Sequence, residues 1–364
     1  MNFSFNPFHA VLAALVFSSS LIAYAEETAT VCVGITNDTE RLACFDRAYA
    51  SVSPSDNESE KPAIDLIQTL DKSLDNDRVD IVLIPQNQEL PESISSLSEL
   101  YDLDRNDESG TFTMREHYPM YLLPLWHNSR PNYRMHTPTQ TKVIDNKKEQ
   151  QKTEAKMQLS FKTKIAQDLF KTRADLWFGY TQQSHWQVYN GYTSAEFRNT
   201  DYMPEFFITQ PVSAPLPFNG KLRMLGAGYL HQSNGQSDPL SRSWNRAYVM
   251  AGMEWGRLTV LPRLWWRIPE NHSDDNNPDI TRYMGYGDLR LQYHFAHKQT
   301  FGSTLRFNPA TGKGGMQVDY TFPLAGKLKA YIQGYSGYGE SLLDYNHRHR
   351  SIGIGLMLND WDGF

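Results

Sequence analysis

Long apolar runs are missing from this chain of 364 residues. Beyond residue 25 none approaches the roughly 20 residues that a membrane-spanning helix requires. That lack excludes a helical membrane protein, and hydropathy alone would class the chain as soluble. It does not exclude a transmembrane β-barrel, whose strands alternate lipid-facing and lumen-facing side chains and so never build a long run. Cysteine is nearly absent as well. Cys32 and Cys44 are the only two, too few for a four-ligand zinc site without help from histidine or carboxylates. Neither sign of charge dominates, with 35 Lys and Arg against 41 Asp and Glu, and no nucleic-acid partner is expected. No internal repeat is visible beyond a hairpin-like alternation. Aromatic residues, by contrast, are plentiful: 20 Tyr, 18 Phe and 8 Trp.

Four stretches differ in composition. Residues 1–25 read as a secretory signal peptide, with an apolar core from Ala10 to Phe17 and a small-x-small cleavage site at Ala23-Tyr24-Ala25. Residues 26–50 hold both cysteines, and an even pair in an exported chain suggests a disulfide closing a small loop. Residues 51–108 carry 15 acidic and 4 basic side chains, a net of -11. They are rich in Ser, Asp, Glu, Asn and Pro, and read as a linker or weakly folded extension. Residues 109–364 carry 21 acidic and 29 basic side chains, a net of +8, a balance that suits an anionic lipid surface.

From about residue 109 the pattern becomes period two. Met157, Leu159, Phe161, Thr163 and Ile165 share one face, while Gln158, Ser160, Lys162 and Lys164 share the other. Met316, Val318, Tyr320 and Phe322 repeat the arrangement, as do Ile352, Ile354, Leu356 and Leu358. Alternation of this kind marks strands with one apolar face, and it fits either a sandwich or a barrel. The signal segment, the aromatic content and the terminal Phe364 favour an outer-membrane barrel. The 256 positions from 109 to 364 leave room for 10 to 14 strands.

The most informative stretch is YLHQSNGQSDPLSRSWNR, Tyr229 to Arg246. His231 and Ser233 are two residues apart, which on a strand places them on one face, about 6.5–7 Å apart at the backbone. An imidazole can span that distance to a hydroxyl. Asn245 could accept a hydrogen bond from the far ring nitrogen, completing a nucleophile, base and orienter. His231 and Ser233 are in phase with the apolar Leu225, Ala227 and Tyr229, and Asn245 with Ala247, Val249 and Ala251. Regular strands would therefore turn the three polar groups outward, toward lipid. Gln182 likewise continues the apolar row Ala174, Leu176, Phe178, Tyr180, where an amide needs a partner that a second subunit can provide.

This stretch resembles the signature of the outer-membrane phospholipase A family, calcium-dependent bacterial lipases. Further matches are FRNTDYMPE (Phe197 to Glu205), NPDITRYMGY (Asn277 to Tyr286), YSGYGESLLDYN (Tyr335 to Asn346) and MLND (Met357 to Asp360). Together they run from about Thr111 to the C-terminus. Gln232 and Gln236 stand where the family more often has Asp and Arg. The resemblance implies an all-β, 12-stranded antiparallel transmembrane barrel in the cell outer membrane, with the N-terminal extension in the periplasm. It implies hydrolysis of phospholipids and lysophospholipids, with A1 and A2 activity, by His231, Ser233 and Asn245. Gly235 would supply an oxyanion N–H. Calcium would be held by Ser241, the Gln236 carbonyl and Ser194 of the partner subunit, with Asp238 and Asp275 at a second site. Asp275 against Asn276 stays open there, because DDNNPD carries one Asn more than the usual spacing. The active form would be a homodimer with Gln182 at its interface. The competing expectation is a silent barrel, a pore or structural protein that keeps the motif without activity.

Overall fold

The computed structural model describes residues 82–83, 95–105, 110–271, 274–326 and 328–357. The expected signal segment, the Cys32–Cys44 disulfide and the end of the MLND match lie outside the described residues.

Twelve antiparallel strands close into one barrel. In chain order they are β1 (Tyr121–Asn128), β2 (Thr153–Leu169), β3 (Ala174–Trp186), β4 (Phe197–Leu216), β5 (Gly220–Ser233) and β6 (Ser243–Trp255). The rest are β7 (Leu258–Ile268), β8 (Gly287–His294), β9 (Thr300–Asn308), β10 (Lys313–Ala325), β11 (Leu328–Gly337) and β12 (His349–Met357). Each pairs with its sequence neighbour, and β12 returns to β1, with Ser351 opposite Asn128 and Met357 opposite Tyr121. Closure leaves no barrel edge with unpaired backbone groups, the condition for crossing a bilayer with strands. Proline cannot donate to a ladder. The pairing shifts register beside Pro124, Pro211 and Pro323 in β1, β4 and β10, whereas Pro204 and Pro262 sit in unshifted ladders.

The barrel is inside-out relative to a water-soluble sandwich. On β2 the Lys156, Lys162 and Lys164 side chains are completely buried, whereas Leu159 on the opposite face is 50% exposed. Leu264 and Trp266 of β7 and Ile352 and Ile354 of β12 are exposed in the same way. The apolar face that the sequence alternation marks thus looks outward and the charged face inward. This arrangement distinguishes a lipid-facing barrel from a sandwich.

Several of the charges in the interior are paired. Glu205 accepts a hydrogen bond from Tyr248 at 2.5 Å and meets His117 at 2.6 Å. Arg263 pairs with Asp288 at 2.7 Å, and Lys156 with Glu340 at 2.8 Å. A polar cavity of about 160 Å³ remains among them, lined in part by Arg246, Arg290, Arg306 and Asp319.

One end of the barrel has short turns and the other long loops. The short end is also stoppered. Helix α1 (Ser96–Tyr101) starts at Ser95, whose hydroxyl accepts from the Ser98 N–H, and ends at Asp102 in the left-handed region. It buries Leu97, Leu100 and Tyr101. The residues after it pair with the wall: Asp102 with Lys164 at 2.6 Å, Asp104 with Arg223 at 2.8 Å, and Arg105 with Asp175 at 2.6 Å. Composition alone assigns 95–105 to the acidic linker. The structure instead seats them against the barrel, because those acidic side chains are the counter-ions of inward-facing Lys and Arg that no single-sequence pattern reveals.

Candidate active site

His231, Ser233 and Asn245 lie at the long-loop end, on the outer face. In the β5–β6 ladder Asn245 is directly opposite His231, and Ser243 opposite Ser233. Their in-phase neighbours Tyr229 and Val249 are each 42% exposed, while the alternate residues Leu230, Gln232, Trp244 and Arg246 are buried inside. No bulge resets the phase between Val249 and Ser243. The outward orientation expected from the sequence is therefore what the strands adopt.

His231 Nδ1 is 2.8 Å from Asn245 Oδ1. Two further contacts fix which way the Asn245 amide points. The Tyr229 hydroxyl donates to Oδ1 at 2.6 Å, and Nδ2 donates to Glu270 Oε1 at 3.1 Å. With Nδ2 given to the carboxylate, Oδ1 faces the imidazole and can only accept from it, so in the neutral ring the proton is on Nδ1. Nε2 then carries the lone pair. Among the described residues the Ser233 hydroxyl makes no hydrogen bond. Contacts of this kind are often loose until substrate is bound.

The loop from 234 to 242 is organised by Asn234. Its side-chain oxygen accepts from the Arg242 N–H at 2.9 Å, and its amide donates to the Leu240 carbonyl at 2.8 Å. This brace places Gly235 two residues after Ser233 with φ +63. A Cβ there would meet Tyr202 Cε2 at 2.9 Å, so a side chain would be both strained and crowded.

The expected calcium ligands Gln236, Ser241 and Ser194 fall on this rim. Gln236 donates from Nε2 to the Arg198 carbonyl at 3.0 Å, and its Oε1 is buried without a partner. Ser194 follows β3, its carbonyl accepting from Trp186 Nε1 at 2.9 Å. Among the described residues no three His, Cys, Asp or Glu side chains cluster as a metal site, so a cation here would be held by hydroxyl and carbonyl oxygens. Those are calcium donors rather than zinc or copper donors, and an orphaned buried oxygen on the same loop fits that group. Of the second-site candidates, Asp275 is engaged by Arg267 at 2.7 Å. Asn276 is the residue that reaches Asp238, Nδ2 to Oδ1 at 3.3 Å. Direct contact thus joins Asp238 to Asn276 and not to Asp275.

The other matched stretches build the scaffold of this rim. Arg198 bridges Glu154 at 2.9 Å and Asp344 at 3.0 Å. Asp201 accepts from the Leu342 N–H at 2.8 Å, and Tyr345 donates to Asp279 at 2.5 Å. These contacts tie the start of β4 to the loops before β8 and before β12. Gln232, facing inward, accepts from Trp244 Nε1 at 3.0 Å and from Arg246 at 2.9 Å. A neutral acceptor therefore suffices there. Gln182 lies outward on β3, its amide engaged within its own chain by Tyr180 at 2.9 Å and Ser184 at 3.3 Å.

The family model for phospholipase A1 matches residues 97–358. The chain belongs to the phospholipase A1 family. It is 54% identical over 352 residues to a putative phospholipase A1 of Neisseria meningitidis serogroup B, covering 93% of this chain and 92% of that one. A match of that length reaches well into the N-terminal extension. Among solved structures, outer membrane phospholipase A from Escherichia coli superposes with a TM-score of 0.63 at 34% identity, covering 70% of this chain and 95% of that one. A Salmonella typhi outer membrane phospholipase, a dimer with bound calcium, gives the same TM-score at 35% identity over the same shares. The phospholipase fold thus accounts for the barrel, and the outer membrane is where such barrels reside.

Two contributors to the site escape the sequence reading. Tyr229 reads in the sequence as an outward residue at the head of the signature, with no partner assigned, although its hydroxyl binds Asn245. Glu270 was not legible at all, because only the pairing of Asn245 with Ile268 brings the chain two residues further on back to the amide.

Proposed function

We propose that the chain is a calcium-dependent outer-membrane phospholipase that cleaves acyl esters of phospholipids and lysophospholipids, with A1 and A2 activity. The observation that carries this reading is the His231–Asn245 pair beside Ser233 on the lipid-facing surface of a family barrel. Polar groups in lipid are costly and persist where they have a function. A hydrolase that draws its substrate sideways from the bilayer needs them there. A pore would place its functional groups in the lumen, and this lumen is crossed by ion pairs and covered at its short-turn end by α1.

Each chemical step is assigned to a residue. His231 Nε2 takes the Ser233 proton as Oγ bonds to the ester carbonyl carbon, and the carbonyl electron pair moves onto oxygen. The Gly235 N–H donates to that oxyanion. The C–O bond to the glycerol then breaks, and His231 returns its proton to the leaving alkoxide. Water attacks the acyl-serine, again giving its proton to His231, and the fatty acid departs as Ser233 is reprotonated. Asn245 keeps the imidazole in the tautomer required throughout. Ser241 and the Gln236 carbonyl, with Ser194 of the partner subunit, would hold the calcium ion, which supplies positive charge near the developing oxyanion when bound. A site shared in this way makes the homodimer the active form, with Gln182 at its interface and residues 26–108 on the periplasmic side. Asp238, with Asp275 or Asn276, is assigned the second cation position.

Covalent trapping tests the reading. An acyl-chain phosphonate presented in detergent micelles with calcium should label Ser233, read by peptide mass spectrometry. Labelling elsewhere would contradict Ser233 as the nucleophile, and none with a folded dimer would favour a silent barrel.

A further inference from the structure

Resting on the hydrolase reading, we propose that Glu270 is a positioning residue for the triad. It holds the Asn245 amide in the orientation that His231 needs and places a carboxylate behind it. Asn245 is a neutral orienter, so it stabilises an imidazolium less than a carboxylate would. An amide has a second shortcoming, because it can flip. With Nδ2 toward His231 it would present a donor to Nδ1 and force the proton onto Nε2, leaving Ser233 without a base. Two contacts bear on that flip. Tyr229 can donate to Oδ1, but a hydroxyl also accepts and would tolerate the reversed amide. Glu270 accepts only, and its 3.1 Å contact with Nδ2 would become two facing oxygens after a flip. Glu270 is thus the group that makes the orientation unequivocal.

The carboxylate is also placed to act by charge. Four groups bear on it: Asp275 and Arg267 from its own segment and the next turn, and Asn245 and His231 from the strands it packs against. Burial raises its proton affinity, Asp275 adds to that, and Arg267 works the other way. Arg267 is mainly engaged with Asp275 at 2.7 Å, so Glu270 is not cancelled by a direct partner of its own. The result is a Ser–His–Asn–Glu chain, in which the negative charge missing from the third position is supplied from the fourth.

The test uses full-length protein in phospholipid–detergent micelles with calcium, measuring kcat, KM and the pH–rate profile. Wild type is compared with Glu270→Ala, Glu270→Gln and a Ser233→Ala control, all checked for barrel folding by heat-modifiable gel mobility. Glu270→Ala should lower kcat about 10-fold, the loss of one charge-assisted hydrogen bond that strengthens as imidazolium forms, with KM unchanged. Glu270→Gln keeps an acceptor for Nδ2 but not the charge. Its kcat should fall less, while the acid limb of its profile moves to lower pH as in the alanine variant. Wild-type kcat and an unmoved acid limb in both variants, with Ser233-dependent release intact, would overturn the assignment. So would a loss of kcat that accompanies misfolding in one variant while Glu270→Gln leaves the profile unmoved. No Ser233-dependent release from wild type would sink the hydrolase reading, and this inference with it.

Discussion

At the scale of single residues, the site depends on what each polar group faces. His231 and Asn245 are joined at 2.8 Å, and Ser233 shares their outward face. Replacing His231 by Ala should reduce kcat by about 10⁴-fold or more, as loss of a triad base does elsewhere, with the barrel still folded. Gly235→Ala combines a positive φ with a contact on Tyr202. It should lower kcat and also lower the melting temperature modestly, since the strain is confined to the folded state. Glu270 has a pH signature as well. Its folded-state affinity for a proton is raised, so the stability given by the protonated form is fully present below the usual glutamate range. It is lost as pH rises through the raised folded value. Glu270→Gln removes that loss and should melt no lower than wild type at pH 8, as scanning calorimetry would show. A lower melting temperature would mean that the carboxylate is structural. The shared outward face of His231, Ser233 and Asn245 was legible in the sequence because spacing along a strand dictates face and distance. The Asn245–Glu270 contact was not, because it depends on which strand lies beside which.

At the scale of elements, alternation carried most of the information. The faces of β2, β10 and β12 follow directly from their period of two, and the polar side proved to be the interior. Leu264, near the middle of β7 and 59% exposed, is a lipid-facing position. Leu264→Arg should cost about 2–4 kcal/mol, as basic residues do at the midplane of such barrels, measured by denaturant unfolding in lipid. Helix α1 was missed for a physical reason. Its segment is acidic and polar enough to read as linker, and its order comes from Lys164, Arg223 and Arg105 pairing across elements. Asp102→Ala should destabilise the barrel by about 2 kcal/mol, less than the 3–5 for a fully orphaned buried ion, because Asp175 stays 2.9 Å from Lys164. An unfolding midpoint equal to wild type would show that the stopper does not support the wall.

At the scale of the whole molecule, a closed barrel with charges inside and apolar groups outside explains why a hydrophilic average composition is compatible with a membrane protein. The fold was legible from alternation and aromatic content as a barrel or sandwich of 10 to 14 strands, and the family likeness fixed twelve. The same architecture separates the two functional readings. A stoppered interior of paired charges should pass no steady ion current in planar bilayers, whereas a catalytic outer face acts on lipid directly. Fatty-acid release from mixed phospholipid–detergent micelles is therefore the decisive measurement, made with calcium, with chelator and with Ser233→Ala. Release that needs calcium and vanishes in the variant is the predicted result. No release from a folded, dimeric protein under any of these conditions would contradict it.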